Sequence, residues 1–213
     1  MFTKETLAFL GDLKANNTRD WFTENKARYT LHVKDAAKVF CDDLASRLAA
    51  RYGTDVTAKM FRIHRDLRFS KDKTPFNAHV HIGFGDAATG AAWMFGLHPD
   101  ELKIGYGLFA FDKQRLALWR DVVAGSAGDK LTDLLEDARQ NGLRIPEPEL
   151  KRVPSPYPAD HPNATLLRHK GLAVWQDAFH LDHALGHDAG TRIADALRAF
   201  DPLRNWMVEH LPA

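Results

Sequence analysis

The stretch HVHIGFGDAATGAAWMFGLHPDELKIGYGLFAF, residues 79–111, decides the fold. Aromatic and β-branched residues recur in short runs, His79 to Gly85, Ala91 to Leu97 and Leu102 to Phe111, with Asp, Gly and Pro clustered at Asp86 to Gly90 and at His98 to Asp100. Runs of this length, punctuated by turn formers, are the signature of consecutive antiparallel strands. Just upstream, Lys59 to Phe69 reads as a strand of the same kind, so the expectation is four strands in a meander.

Outward from this stretch the period becomes helical. Thr3 is placed to cap a helix carrying Leu7, Leu10 and Leu13, and Thr18 to cap a second one from Arg19, with Asn16 and Asn17 at the break. Asp35 to Tyr52 sets Val39, Phe40, Leu44 and Leu48 on one stripe, and Gly53 stops it. On the other side, Asp112 caps a helix with Leu116, Trp119 and Val123 inward, and another runs from Asp129 to Asn141. Prolines then make Ile145 to Pro158 extended and irregular, with Leu150 to Val153 a candidate edge strand. Gly171 to Phe179 is a further candidate strand, Asp188 to Ala199 a helix, and Asp201-Pro202 the start of a last helix. No repeat or low-complexity linker interrupts the pattern. A single α+β domain over residues 1–213 is expected, an antiparallel meander sheet covered by N-terminal and C-terminal helices.

The 29 basic and 28 acidic side chains nearly cancel over 213 residues, so no field of one sign draws the protein onto nucleic acid or an anionic membrane. Any basic site is therefore local. Met1 to Leu13 lacks the apolar run of a signal peptide, and no segment reaches transmembrane length. The one cysteine, Cys41, sits in a helical stripe and suits a reducing compartment. A cytoplasmic location is expected, with no membrane partner and nucleic acid disfavoured.

The most informative segment is basic. In a strand from Lys59, alternation puts Phe61, Ile63, Leu67 and Phe69 on one face, and Arg65 falls among them. A guanidinium on an apolar face needs a partner, because an unpaired buried charge costs several kcal/mol. Three readings stay open: a β-bulge near His64 returns Arg65 to the polar face, an internal carboxylate neutralises it, or a bound anion does. Arg65, Arg68, Lys71 and Lys73 lie within nine positions, and the loop from Ser70 to Asn77 is long and rich in donors. Arginine forks and lysine point charges together are able to surround an oxyanion. Asp66 and Asp72 are equally placed to pair with these bases. Gly83, Gly85, Gly96, Gly105 and Gly107 mark places where a sheet bends or where a helix or ligand comes close, helix packing being the simpler cause. A glycine-floored face beside Arg65 or Arg68, with Tyr106 lining it, makes a natural pocket.

The chain resembles the bacterial proteins grouped as the domain of unknown function numbered 2461. The resemblance spans nearly the whole chain and rests on three motifs: Asn16-Asn17-x-Arg19-x-Trp21-Phe22 with Lys26 and Tyr29; Arg65-Asp66-x-Arg68-Phe69-Ser70-Lys71-Asp72-Lys73-Thr74-Pro75-Phe76; and Leu150-Lys151-Arg152-x-Pro154 with Tyr157 and His161-Pro162. It departs at Asn77, where members often carry lysine. It implies an α+β domain and no activity. It also sets further residues beside the basic loop: Arg19 and Lys26, seven apart on one helix whose Trp21 and Phe22 pack on the sheet, and Lys151 and Arg152 on the proline-rich segment. If these meet, a cationic pocket with aromatic walls results.

Other chemistries find less support. His79-x-His81 on a strand and His180, His183 and His187 in a loop have spacings that metals tolerate, but no metal is expected from them. No nucleophile elbow, phosphate loop or dinucleotide fingerprint is present, and His64 with Asp66 is the one candidate acid–base pair. The reading is a domain that binds, or binds and acts on, an anionic phosphate- or carboxylate-bearing small molecule, with no cofactor assigned. The alternative is a protein or nucleic-acid interaction module in which the basic motif is a surface patch or a structural ion-pair network.

Overall fold

A computed structural model describes residues 1–68 and 70–213, the side chains of residues 178 and 179 aside. Strands β1 (Val56–Met60), β2 (Val80–Asp86), β3 (Ala92–Leu97), β4 (Leu102–Leu108) and β5 (Leu172–Phe179) form an open antiparallel sheet in the order β1-β2-β3-β4-β5. The meander follows from its turns. Asp86 N–H donates to Ala91 O at 2.8 Å and closes the β2–β3 hairpin, and His98 N–H donates to Glu101 O at 2.9 Å and closes β3–β4. Along β2, Val80, Ile82, Phe84 and Asp86 are buried, while His81, Gly83 and Gly85 face the more open side.

The first strand is shorter than its composition suggests. β1 ends at Met60, Phe61 N–H still donates to His81 O at 2.9 Å, and beyond it the chain leaves the ladder; the two-face alternation nevertheless persists in burial, Ile63, Arg65 and Leu67 being more covered than the exposed Arg62, His64, Asp66 and Arg68. Phe61, expected inside, is 51% exposed. Phe69, assigned to the same apolar face, lies outside the described residues. Local hydrogen bonding wins over strand extension here: Asp66 accepts from Arg68 N–H at 3.2 Å and Asp72 from Thr74 N–H at 2.9 Å, the short-range pattern that competes with sheet. The segment instead folds back on itself, with Arg65 N–H donating to Pro75 O at 3.0 Å and Asn77 N–H to Ile63 O at 2.7 Å.

The helices are α1 (Lys4–Ala15), α2 (Arg19–Glu24), α3 (Lys26–Tyr29), α4 (Ala36–Tyr52), α5 (Lys113–Val123), α6 (Ser126–Gln140), α7 (Ala164–Leu167), α8 (Ala189–Ala196) and α9 (Asp201–His210). Two of the expected side-chain caps are in place, Thr18 Oγ1 accepting from Trp21 N–H at 3.3 Å and Asp112 Oδ1 from Arg115 N–H at 2.8 Å, Gly53 ends α4 in the left-handed conformation, φ 60°, and at α1 it is the Thr3 backbone N–H that donates to Thr6 Oγ1 at 3.0 Å. Between α3 and α4 the backbone widens into a π-helical stretch, Thr30–Asp35, where Thr6 Oγ1 donates to His32 O at 2.7 Å. The candidate strand at residues 150–153 does not form; Leu150 N–H donates to Arg168 O at 3.1 Å, outside any ladder.

The chain divides into two units of internal contact. The first comprises Met1–Gly85, Met94–Ile104 and Ala178–Ala196, and the second Asp86–Trp93, Gly105–Asp177 and Leu197–Ala213. In the first, α1 and α4 bury Phe9, Leu10, Phe40, Leu44 and Leu48, and Phe95 lies 4.6 Å from Phe40 and 5.8 Å from Phe2. The second buries Trp93, Tyr106, Trp119 and Met207, with Trp119 Nε1 donating to Leu166 O at 2.9 Å and Trp206 Nε1 to Ala127 O at 3.0 Å.

Candidate anion cleft and neighbouring histidine cluster

The cleft is built by anchoring the basic segment to the N-terminal helices. Asn17, in the link between α1 and α2, donates from Nδ2 to Phe76 O at 2.9 Å and accepts from Phe76 N–H at Oδ1 at 3.0 Å. That clamp sets the Phe76 ring on Phe22 of α2, centroids 4.2 Å apart and 22° from parallel. His64 stands edge-on to Phe76 at 5.1 Å and to Phe22 at 6.1 Å. Trp21, expected on the sheet, packs against Phe9 of α1 at 5.7 Å.

Within the segment, most basic charge is consumed locally. The Arg65 side chain, 23% exposed, donates from Nη1 to Asp72 Oδ2 at 2.5 Å, to Thr74 O at 3.2 Å and to Thr74 Oγ1, and from Nη2 to Ser70 Oγ at 3.4 Å. Of the three readings open for Arg65, an internal carboxylate is the one the geometry realises. The Thr74 backbone N–H, then Arg65 and the Thr74 hydroxyl, hold the Asp72 carboxyl down at about 2. Arg68 forks onto Asp66, Nη2 to Oδ2 at 2.6 Å and Nε to Oδ1 at 3.0 Å, in solvent. Lys73 Nζ donates to Leu67 O at 3.0 Å, and Lys71 is exposed. The four bases therefore do not converge on one point. His64 packs on Phe76 while Asp66 is forked by Arg68, and both line one cavity of about 390 Å³.

What does converge is Arg19, Lys26 and Arg65. They line a cleft of about 510 Å³ with His64 and Thr23, over apolar walls of Phe22, Leu67, Pro75 and Phe76, and no carboxylate lines it among the described residues. Arg19 and Lys26 are not on one helix. α2 stops at Asn25, whose Nδ2 donates back to Trp21 O at 2.9 Å, and α3 starts at Lys26; the two short helices nevertheless turn both cations to the same cleft.

The remaining predicted site residues fall elsewhere. Tyr106 is fully buried in the second unit, its hydroxyl donating to Asp86 Oδ2 at 2.9 Å and lying 2.8 Å from Thr89 Oγ1, so it lines no open face. Burial, as the largest cause, raises its pKa. Asp86 in turn takes Arg204 Nε at 2.8 Å and Nη2 at 3.3 Å, both residues almost without solvent contact. This buried pair escaped sequence reading because Asp86 passes for a turn residue. Lys151 and Arg152 are exposed in the second unit. Two of the sheet glycines have a different cause from helix packing: a Cβ on Gly105 would stand 2.7 Å from Val174 O, and one on Gly107 would strike Leu172 O, so strand β5 itself requires these two.

In the first unit the hairpin register produces a cluster that linear spacing hid. Pairing Asp86 with Ala91 puts His81 opposite Gly96 and His79 opposite His98. The ring centroids are 4.0 Å apart for His79–His81, 4.6 Å for His79–His98 and 5.5 Å for His81–His98. Each offers a ring nitrogen within 4.8 Å of the other two, the one such group of three among the described residues. Partial burial first, then the like charges of His81, His98 and Arg65, press His79 down to about 4; burial also lowers His81 and His98. His98 was missed, although the 86–90 turn already implied its position opposite His79. The other candidate group does not close in this way: His180 and His183 are 6.2 Å apart, His183 lies on the short 3₁₀ turn Leu181–Ala184, and His187 is exposed.

Among the described residues, no helix is long and apolar enough to cross a membrane. A family model described as conserved hypothetical protein (DUF2461) matches residues 5–206. No curated protein matches the chain.

Proposed function

Because the chain belongs to the conserved hypothetical protein family DUF2461, whose description carries no activity, we propose from the site alone that the cleft binds a small molecule bearing phosphate or carboxylate. One observation carries this: Arg19, Lys26 and Arg65 line a cavity that has no carboxylate among its described lining residues, Asp72 bracing Arg65 from outside that lining. Arg65 is already braced by Asp72, so its outer face adds field while Arg19 and Lys26 supply free donors. Phe22 and Phe76 furnish a flat apolar wall for the body of such a ligand. The loop cations Arg68, Lys71 and Lys73 are not part of this binding set.

A second reading is favoured by the Arg65–Asp72 and Arg68–Asp66 pairs: the 65–76 motif acts as an ion-pair brace that holds one wall of the cleft in place. The two readings are compatible, the brace serving the cleft. An interaction module for nucleic acid fits less well, since affinity there grows with the number of phosphates neutralised and the net charge is only +1. A cytoplasmic setting is part of the same proposal; it rests on Cys41, a buried thiol that burial and then Asp42 push up to about 11, leaving it inert.

The test is thermal denaturation with inorganic phosphate and a panel of phosphorylated and carboxylated metabolites. A ligand at 100 times its Kd stabilises by about 2.7 kcal/mol, or roughly 5–10 °C for a chain of this size. The shift should vanish in Arg19→Ala/Lys26→Ala. A flat panel, or a shift indifferent to that double variant, would sink the proposal; binding of an oligonucleotide at low salt would transfer support to the interaction module.

A further inference from the structure

We propose that His79, His81 and His98 form a three-histidine centre for a zinc-like divalent cation. The inference does not rest on the anion cleft. Three imidazoles from two neighbouring strand ends meet with their ring nitrogens within 4.8 Å of one another. The three ring centroids lie 4.0, 4.6 and 5.5 Å apart, so the imidazoles share one neighbourhood. In a tetrahedral zinc site with bonds of about 2.0–2.1 Å, ligand nitrogens stand roughly 3.3 Å apart. Small rotations of three partly exposed side chains close that difference.

The surroundings are those of a metal site on two further counts. Glu101 Oε1 lies 3.8 Å from His98 Nδ1 and is itself held by Lys103 at 2.8 Å, which places an anchored carboxylate behind one ligand. Outer carboxylates of this kind orient a metal-bound imidazole and raise its basicity. Gly96, opposite His81, makes room for the ring: a Cβ there would stand 3.2 Å from His81 Cδ2 and 3.3 Å from Nε2. Any other residue at position 96 crowds the imidazole.

The coordination sphere is incomplete by design of the pocket. His79 and His81 open onto a cavity of about 390 Å³ also lined by Arg62, His64, Arg65, Asp66 and Asn77. Three protein nitrogens plus an open position is the pattern of a catalytic rather than a structural zinc, the cavity beside it holding two guanidiniums and the Asp66 carboxylate.

The experiment uses untagged full-length protein, stripped with chelator and titrated with Zn²⁺ by calorimetry, with Co²⁺ absorption as a report of geometry. One equivalent of Zn²⁺ should bind. His79→Ala and His98→Ala should each weaken it by about 100-fold or more, and Glu101→Gln by about tenfold, given that loss of an outer partner costs about 10- to 100-fold. His187→Ala should leave it unchanged. In the unmutated protein, Zn²⁺ should shift the ring resonances of His79, His81 and His98 and leave those of His169 in place, a readout that does not depend on any variant folding. No stoichiometric binding, binding that survives His79→Ala and His98→Ala, or resonance shifts confined to His180, His183 and His187 would each overturn the proposal.

Discussion

Asn17 holds Phe76 by both faces of its amide, donating to the Phe76 carbonyl at 2.9 Å and accepting the Phe76 N–H at 3.0 Å, as a neighbouring strand would. One side chain thus substitutes for a ladder where β1 has already ended. Truncation to Ala leaves two backbone groups of a half-buried segment without partners, and each such loss costs about 1–3 kcal/mol. Asn17→Ala should therefore destabilise the protein by about 2 kcal/mol in urea unfolding and weaken ligand binding in the cleft. A change within about 0.5 kcal/mol, the range of an ordinary surface substitution, would show that the amide does not carry the segment.

The Asp72 carboxyl, held down at about 2 by the Thr74 N–H and by Arg65, links the loop to pH. Its folded value lies below the ordinary 3.8, so its contribution is complete above 3.8 and is lost as pH falls toward about 2. The Tm difference between the parent protein and Asp72→Asn should be constant around neutrality, narrow below pH 3.8 and close near pH 2. A gap that widens on acidification would reverse the sign and refute the pairing.

Asp86 and Arg204 are buried together, 1% and 6% exposed, with Tyr106 completing the network. Breaking one side of a buried pair strands the other charge, at a cost of about 3–5 kcal/mol. Arg204→Met or Asp86→Asn should each lower stability by that amount, whereas the double variant Asp86→Asn/Arg204→Met should cost less than the sum. Additive losses in the cycle would mean that the two residues act independently.

Gly107 carries φ 141° and abuts the β5 backbone. An added methyl group both strains the backbone and meets the Leu172 carbonyl, so Gly107→Ala should cost upwards of about 3 kcal/mol, read as a lowered urea midpoint. Gly142→Ala, which also has positive φ but open space around it, should cost about 1 kcal/mol.

The elements written in local pattern were legible in the sequence. Turn chemistry at 86–90 and 98–100, alternation along β2 and the caps at Thr18 and Asp112 depend on neighbours a few positions away, and each appears where the residues place it. The motif from Arg65 to Phe76 was equally visible as a basic segment. What it did with its charge was not, because a string of residues does not say whether Arg65 turns to Asp72 or to a ligand. Strand pairing ended at Met60 although burial still alternates from Arg62 to Arg68: short-range bonds to Asp66 and Asp72 compete with the ladder there, and only their geometry shows which competitor wins.

By itself, then, the amino-acid sequence determined an α+β chain with a meander sheet, and it marked Arg19, Lys26 and Arg65 as cations worth tracking. Only the tertiary structure decided that these three line one cleft, that Tyr106 serves a buried ion pair, and that His98 joins His79 and His81. The division has a physical cause. Secondary structure is set by interactions within a few residues, whereas a site is made of side chains whose meeting depends on register and packing across long loops.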